Sequence, residues 1–232
     1  VAIKLYKPTL EPTSRTTLTL AKRKKLKNIN GCNGSYFSVN VFLSSEATDH
    51  RKQSILTPSF NKKSLLLMNV ANKIEERKAE LSKVESLETG KSLSDAKNDI
   101  KNGIRYWRYA SSIVQVEYGN FINNIGPNKG AYTIYDPVGV VALILPWNFP
   151  FIVMSERLPF MLAAGCTVVA KPSEYASGSC LILGEILHEA GIPAGVYNVV
   201  TGNGSTVGKY LVENNNISMV SFTGSTENGK SV

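Results

Sequence analysis

Cysteine is scarce in this chain, and the little there is lies scattered. Cys32, Cys166 and Cys180 form no CxxC pair, which excludes a zinc ribbon and a disulfide framework; a reducing, cytoplasmic setting is the expectation. Histidine is scarcer. His50 and His188 stand beside no cysteine, so the sequence offers no nucleophile–base pair, and no metal site is assigned. No apolar run reaches the ~18 residues that span a bilayer, so no membrane partner is expected. Acidic residues are nearly missing from the front: residues 1–45 hold eight Lys/Arg against the single Glu11, while the other 187 residues hold 18 basic and 17 acidic side chains. The body is near neutral and does not offer a basic face, so nucleic acid is not an expected partner. The run Lys22-Arg23-Lys24-Lys25 reads either as a localisation or nucleic-acid patch or as part of a solvated leader. The Ser/Thr-rich, acid-poor composition also suits a transit peptide, although no clear amphipathic helix is visible.

What is present begins after this basic leader of uncertain order (1–55). Over 56–118 the chain reads as helical. Leu65, Leu66, Val70, Ile74, Leu81, Val84 and Leu87 recur at three- and four-residue steps, and Thr89-Gly90 ends that helix. Ser94-Asp95 is expected to cap a second, with Ile100, Ile104, Trp107, Tyr109, Ile113 and Val114 on its apolar face. Residues 119–136 read as a β-hairpin turning through Gly126-Pro127-Asn128-Lys129-Gly130. Over 137–232 the pattern alternates. Strands are expected at 139–145, 166–171, 196–201 and 218–222, and helices near 152–164, 177–190 and 205–213, with another starting near Gly224. Short apolar strands alternating with helices predict an α/β fold: a Rossmann-like, mostly parallel sheet with helices on both faces.

Three motifs stand at strand ends, where an open α/β sheet places its ligand. Asn148, in Pro146-Trp147-Asn148-Phe149-Pro150, offers an amide able to donate to a growing oxyanion, or else closes a tight turn. In Lys171-Pro172-Ser173-Glu174, Lys171 and Glu174 can grip the two hydroxyls of a ribose. A carboxylate there leans toward NAD over NADP, and an exposed ion pair is the plainer alternative. In Phe222-Thr223-Gly224-Ser225-Thr226-Glu227-Asn228-Gly229, a strand runs through glycine into a helix start, which suits a pyrophosphate or is simply an N-cap. Gly202-Asn203-Gly204 with Gly208 falls short of a dinucleotide fingerprint, since position 207 is valine; it reads as a turn beside an adenine. Cys166, within a strand, and Cys180, within a helix, read as core residues of raised pKa and low reactivity.

In this order and spacing, these motifs resemble the NAD(P)-dependent aldehyde dehydrogenase superfamily over residues ~56–232. Leu87-Glu88-Thr89-Gly90-Lys91, Pro137-Val138-Gly139-Val140 and Ala190-Gly191-Ile192-Pro193-Ala194-Gly195-Val196 add to the set. The resemblance implies a two-step oxidation of an aldehyde to a carboxylic acid. A cysteine thiolate attacks the carbonyl, an asparagine matching Asn148 holds the oxyanion, hydride passes to the nicotinamide, and a glutamate-activated water releases the acid. NAD is the implied cofactor, with NADP possible. Ile144, Leu145, Pro146 and Trp147 would line its cleft, Lys171 and Glu174 with Ser173 between them would hold the adenine ribose, and Ser225 and its surrounding backbone the pyrophosphate. Phe149, Ile152, Val153 and Glu156 match positions of the aldehyde tunnel. Glu156 stands where a bulky aromatic is common, which favours a cationic or polar aldehyde unless it is only a surface ion pair. The hairpin matches an oligomerisation arm, implying a homo-oligomer. The cysteine and glutamate of the family's chemistry match nothing here. The expectation is therefore the front portion of such an enzyme, inactive alone, with a non-catalytic nucleotide-binding module as the alternative.

Overall fold

A computed structural model describes residues 2–6, 59–116, 120–122, 131–133 and 135–232. The Lys22–Lys25 run, Cys32, His50 and the Gly126–Gly130 turn lie outside the described residues.

Four parallel strands form the centre of the fold: β4 (Val140–Ile144), β5 (Thr167–Lys171), β6 (Tyr197–Val199) and β7 (Met219–Gly224). With β1 (Ala2–Tyr6) the order across the sheet is β1-β7-β4-β5-β6. β1 runs antiparallel along β7, from Ala2 opposite Gly224 to Tyr6 opposite Val220, and gives five residues of the expected leader a place at the sheet edge. The chain steps from β4 to β5 to β6 in one direction, then crosses back to lay β7 on the other side of β4. That reversal opens a crevice at the carboxyl ends of the strands.

Alternation along the strands decides both cores. Val141, Leu143 and Leu145 point to one face, Val140, Ala142 and Ile144 to the other, and all six are buried. This is why β4 reads as an unbroken apolar run. The first face is sealed by α1 (Phe60–Glu76), α2 (Lys78–Thr89), α3 (Leu93–Ile113), α4 (Pro150–Ser155), α5 (Leu158–Ala163) and α6 (Gly178–Glu189), with Trp107 and Phe151 fully buried. The second is covered by α7 (Lys209–Glu213) and its flanks, through Leu211 and Ile217. A short helix, α8 (Thr226–Ser231), follows β7. Among the described residues no helix is long and apolar enough to cross a membrane. β2 (Phe121–Ile122) and β3 (Ala131–Tyr132) form a separate antiparallel pair, and Phe121 and Ile122 are exposed.

Three boundaries differ from expectation. The first helix is two helices, broken at Arg77 (φ −96°, ψ 14°), whose guanidinium reaches Glu80, Glu185 and Glu189 at 2.8, 2.9 and 3.3 Å. Apolar period alone cannot reveal that corner, because good helix formers stand on both sides. Leu65, Leu87, Tyr109 and Ile113, placed on apolar faces by period, are exposed. The cap of α3 is Ser92, two residues before the expected Ser94, and its hydroxyl accepts from Asp95 N–H at 3.1 Å. The helix expected over 152–164 is broken at Glu156 and Arg157 because Pro159, in the first turn of α5, has no N–H to continue a single ladder. Gly90 ends α2 as read, at φ 75° with its N–H on Ser86 O.

Candidate functional site

The crevice is a cavity of about 1010 Å³ at the carboxyl ends of β4, β5 and β7. β4 delivers Ile144, Leu145, Pro146, Trp147 and Asn148 to its wall; β5 delivers Lys171, Ser173 and Glu174; β7 delivers Phe222, Thr223, Gly224 and Ser225. Gly204 and Gly208 close it from the segment after β6. Fourteen residues singled out from the sequence thus meet in one place. Gly229 does not line the cavity: it is buried in α8, where its N–H closes the first turn on Ser225 O.

Lys171 is the most constrained polar group in the wall. It is 3% exposed, its ammonium donates to Pro172 O at 2.9 Å, and Glu174 Oε2 lies 3.7 Å away. Burial pulls its pKa down, and the Glu174 carboxylate opposes that shift. A surface ion pair, the plainer alternative read from the sequence, does not describe a lysine this deep. Gly208 passes close by its stem: a Cβ there would stand 3.8 Å from Lys171 Cδ, in ordinary contact. Glu174 remains exposed at the mouth.

The β7 end offers hydroxyls and backbone. Ser225 is the N-cap of α8 and accepts from Asn228 N–H at 3.2 Å, so its side chain is already committed. Thr223 Oγ1 is buried without a hydrogen-bond partner at the cavity edge, a polar group in want of one. The segment after β6 is a single π-helical turn, Gly204–Gly208, capped by Asn203, whose Oδ1 accepts from Ser205 N–H at 2.8 Å. Asn203 and Ser205 also line the cavity, as do Tyr175 and Asn228. Asn203 and Asn228 stood inside motifs already singled out, so topology alone was missing to place them.

Trp147, Asn148 and Phe149 form an exposed corner between β4 and α4. Among the described residues no hydrogen bond engages the Asn148 side chain, which leaves its amide free to donate. Phe149, Ile152, Val153 and Glu156, expected in a substrate tunnel, lie off this cavity. Ile152 and Val153 are half-buried on α4, and Glu156 ends that helix, accepting from Tyr106 O–H at 3.3 Å. The Glu156 charge holds the Tyr106 pKa up. Tyr106 was missed in the sequence, where nothing links it to a carboxylate fifty residues on.

Cys166 and Cys180 are buried, and burial pushes both thiols up in pKa. Neither reads as a nucleophile. Among the described residues no group of histidine, cysteine and carboxylates could hold a metal ion. The Leu87–Lys91 motif has a structural use: both Glu88 oxygens accept from Gly178 N–H, at 3.0 and 2.9 Å, and so cap α6 from outside.

A family model described as "Aldehyde dehydrogenase family" matches residues 44–232. The chain is 40% identical over 169 residues to aminoaldehyde dehydrogenase 2 of Zea mays, covering 72% of this chain and 33% of that protein. It superposes on the NAD-dependent aldehyde dehydrogenase of Sinorhizobium meliloti with a TM-score of 0.73 at 42% identity, over 80% of this chain and 39% of the other. The NAD+ complex of an aldehyde dehydrogenase from Bacillus cereus gives 0.74 at 34% identity, over 80% and 39%. The chain spans about a third of the length of the curated relatives it matches.

Proposed function

This chain belongs to the aldehyde dehydrogenase family, and from that premise we propose that its cavity binds NAD as part of an enzyme oxidising an aldehyde to a carboxylic acid. The supporting observation is the convergence of three strand ends on one cavity, with buried Lys171 paired to Glu174 in its wall. Lys171 and Glu174 hold the hydroxyls of the adenine ribose, one donating and one accepting. The backbone at Ser225 takes the pyrophosphate. The bound dinucleotide supplies the hydride acceptor. Asn148, whose side chain has no hydrogen-bond partner among the described residues, donates to the aldehyde oxygen as it gains charge. Neither nucleophile nor general base is assigned to a described residue.

Calorimetric titration tests the site. NAD should saturate it, and NADP should bind about tenfold more weakly because Glu174 repels a 2′-phosphate. Equal binding would remove the ribose assignment, and no saturable binding would remove the function. A non-catalytic nucleotide-binding module is the second reading, favoured by two buried cysteines of raised pKa. NADH formation with aldehyde, measured on a catalytically complete polypeptide that contains this chain, decides between the two.

For the substrate we propose an aldehyde carrying a cationic group. Glu156 supports this, since among the described residues it forms no salt bridge and its partner is a neutral phenol. The maize relative's name, an aminoaldehyde dehydrogenase, points the same way. In a catalytically complete polypeptide, Glu156→Gln should raise KM for an aminoaldehyde and leave a neutral aldehyde unchanged; a constant ratio ends the idea. The exposed Phe121–Ile122 pair serves self-association in this proposal, and sedimentation of Phe121→Ser should show a smaller species.

A further inference from the structure

Helix α4 starts without a cap of its own. Phe149, at its N-cap, has φ −141° and ψ 54° and carries no polar side chain. Asn148 immediately before it is exposed. An amide that must meet an oxyanion with sub-ångström tolerance needs a firmer anchor than this corner makes for itself.

The anchor comes from α2 and the start of α3. Glu85 is fully buried, with the Phe151 N–H and the Ser179 hydroxyl facing it, yet its Oε2 has no partner within hydrogen-bond distance. Lys91 answers that charge, its Nζ lying 3.3 Å from Glu85 Oε1 and 2.6 Å from Asp99 Oδ2. The same ammonium stands 4.4 Å over the centroid of the Phe149 ring. Lys91 is only 12% exposed. A cation so little hydrated is held strongly by an aromatic face, and here two carboxylates fix where that cation can be.

We propose that Lys91 is a positioning residue: its ammonium, fixed by Glu85 and Asp99, clamps the Phe149 ring and thereby sets the direction of the neighbouring Asn148 amide. The inference rests on the reading of Asn148 as oxyanion donor given above. It separates two duties of one lysine. As a counter-ion, Lys91 neutralises a buried carboxylate. As a clamp, it holds an exposed ring, and only the second duty reaches the site.

Fluorotryptophan NMR of the full chain distinguishes them. The chain has two tryptophans; Trp107 is fully buried and Trp147 is exposed beside Asn148, so the two resonances separate, and Trp147→Phe assigns them. Lys91→Met should enlarge the minor, loosened population of Trp147 about fivefold, the change expected on losing a desolvated cation–π contact. Lys91→Arg should restore the parent spectrum. The double variant Glu85→Gln/Lys91→Met removes the fully buried charge together with its counter-ion and leaves only the partly exposed Asp99 unpaired by Lys91; it should regain part of the thermal stability and still show a loosened Trp147. A parent-like Trp147 spectrum in that variant would mean that Lys91 is only a counter-ion, and the proposal falls. Should the Lys91 variants fail to fold, Phe149→Leu decides alone, since that side chain is exposed and every ion pair stays intact. It should loosen Trp147 by the same factor, and an unchanged resonance overturns the clamp. NAD titration of the same samples keeps the two readings apart: a chain that binds no NAD loses the proposed function, while the Trp147 spectra still decide the clamp.

Discussion

One face of the sheet buries Val141, Leu143, Val168 and Ala170 beneath six helices; the opposite face buries Val140, Ala142, Val169 and Val220 beneath α7 and its flanks. The residues are of the same kind and differ only by alternation along the same strands. What differs is what lies above them. The thick face carries Trp107, Phe151 and Leu183, all fully buried, and is where most of the hydrophobic stabilisation is found. The thin face runs into the cavity, so Ile144 and Phe222 serve as core at one end and as cavity wall at the other. Stability and binding are thus divided between the two sides of one sheet, and a substitution should be felt as one or the other according to the side it faces.

The largest effect is expected where the thick face is tightest. Gly103 on α3 leaves no room for a methyl group, because a Cβ would stand 2.5 Å from Phe151 Cε1. Alanine raises helix propensity by up to ~1 kcal/mol, while overpacking costs about 1–3 kcal/mol, so Gly103→Ala should lose about 1–2 kcal/mol in urea unfolding. A stabilised variant would show that α3 and α4 are free to separate. On the thin side, Lys171→Met should lower NAD affinity about tenfold and leave the Tm unchanged or higher, because an ammonium that is costly to desolvate is replaced by an apolar chain of similar length. A falling Tm would place Lys171 among the stabilising residues and blur the division. A matched pair sharpens it: Val168→Ala should cost about 1 kcal/mol more than Val220→Ala, since the thin face relaxes around a small cavity more readily. Equal costs would mean the two cores are equally rigid.

The smallest effect is a slope. Burial raises the pKa of Glu85 above its usual 4.5, with Lys91 and the neighbouring donors opposing. The folded state therefore holds this proton more tightly than the unfolded chain does, so stability falls as pH rises from about 4.5 through the raised value. Glu85→Gln should flatten that part of a plot of urea midpoint against pH. An unchanged plot would assign the slope to other groups.

Strand positions and the cavity wall were legible in the sequence for one reason. A strand buried on both faces is largely apolar, with Thr167 and Ser221 the small buried exceptions, so the polar residues that follow Ile144, Ala170 and Phe222 mark the places where the chain reaches the sheet's open end. Lys171 and Asn148 could be found that way. Its burial could not, because depth depends on Gly208 arriving from a later element. Lys91 against Phe149 and Tyr106 against Glu156 were hidden more completely. Each joins residues far apart in sequence, on helix ends, connections and one helix face whose mutual placement no local pattern fixes. Ser92 was misread in favour of Ser94 because Ser94 stands directly beside Asp95, whereas Ser92 is the residue with extended backbone whose hydroxyl accepts from Asp95 N–H.

The ammonium at the foot of the cavity already has company, donating to Pro172 O while Glu174 waits at the rim. In the proposed ribose site an arriving sugar would therefore exchange with contacts the lysine has in place and would not meet a bare cation. Such a swap is governed by shape and by direction of approach; because the ammonium is almost fully buried, its own hold on a ligand should scarcely notice the saltiness of the medium, whereas the exposed carboxylate at the rim should feel it.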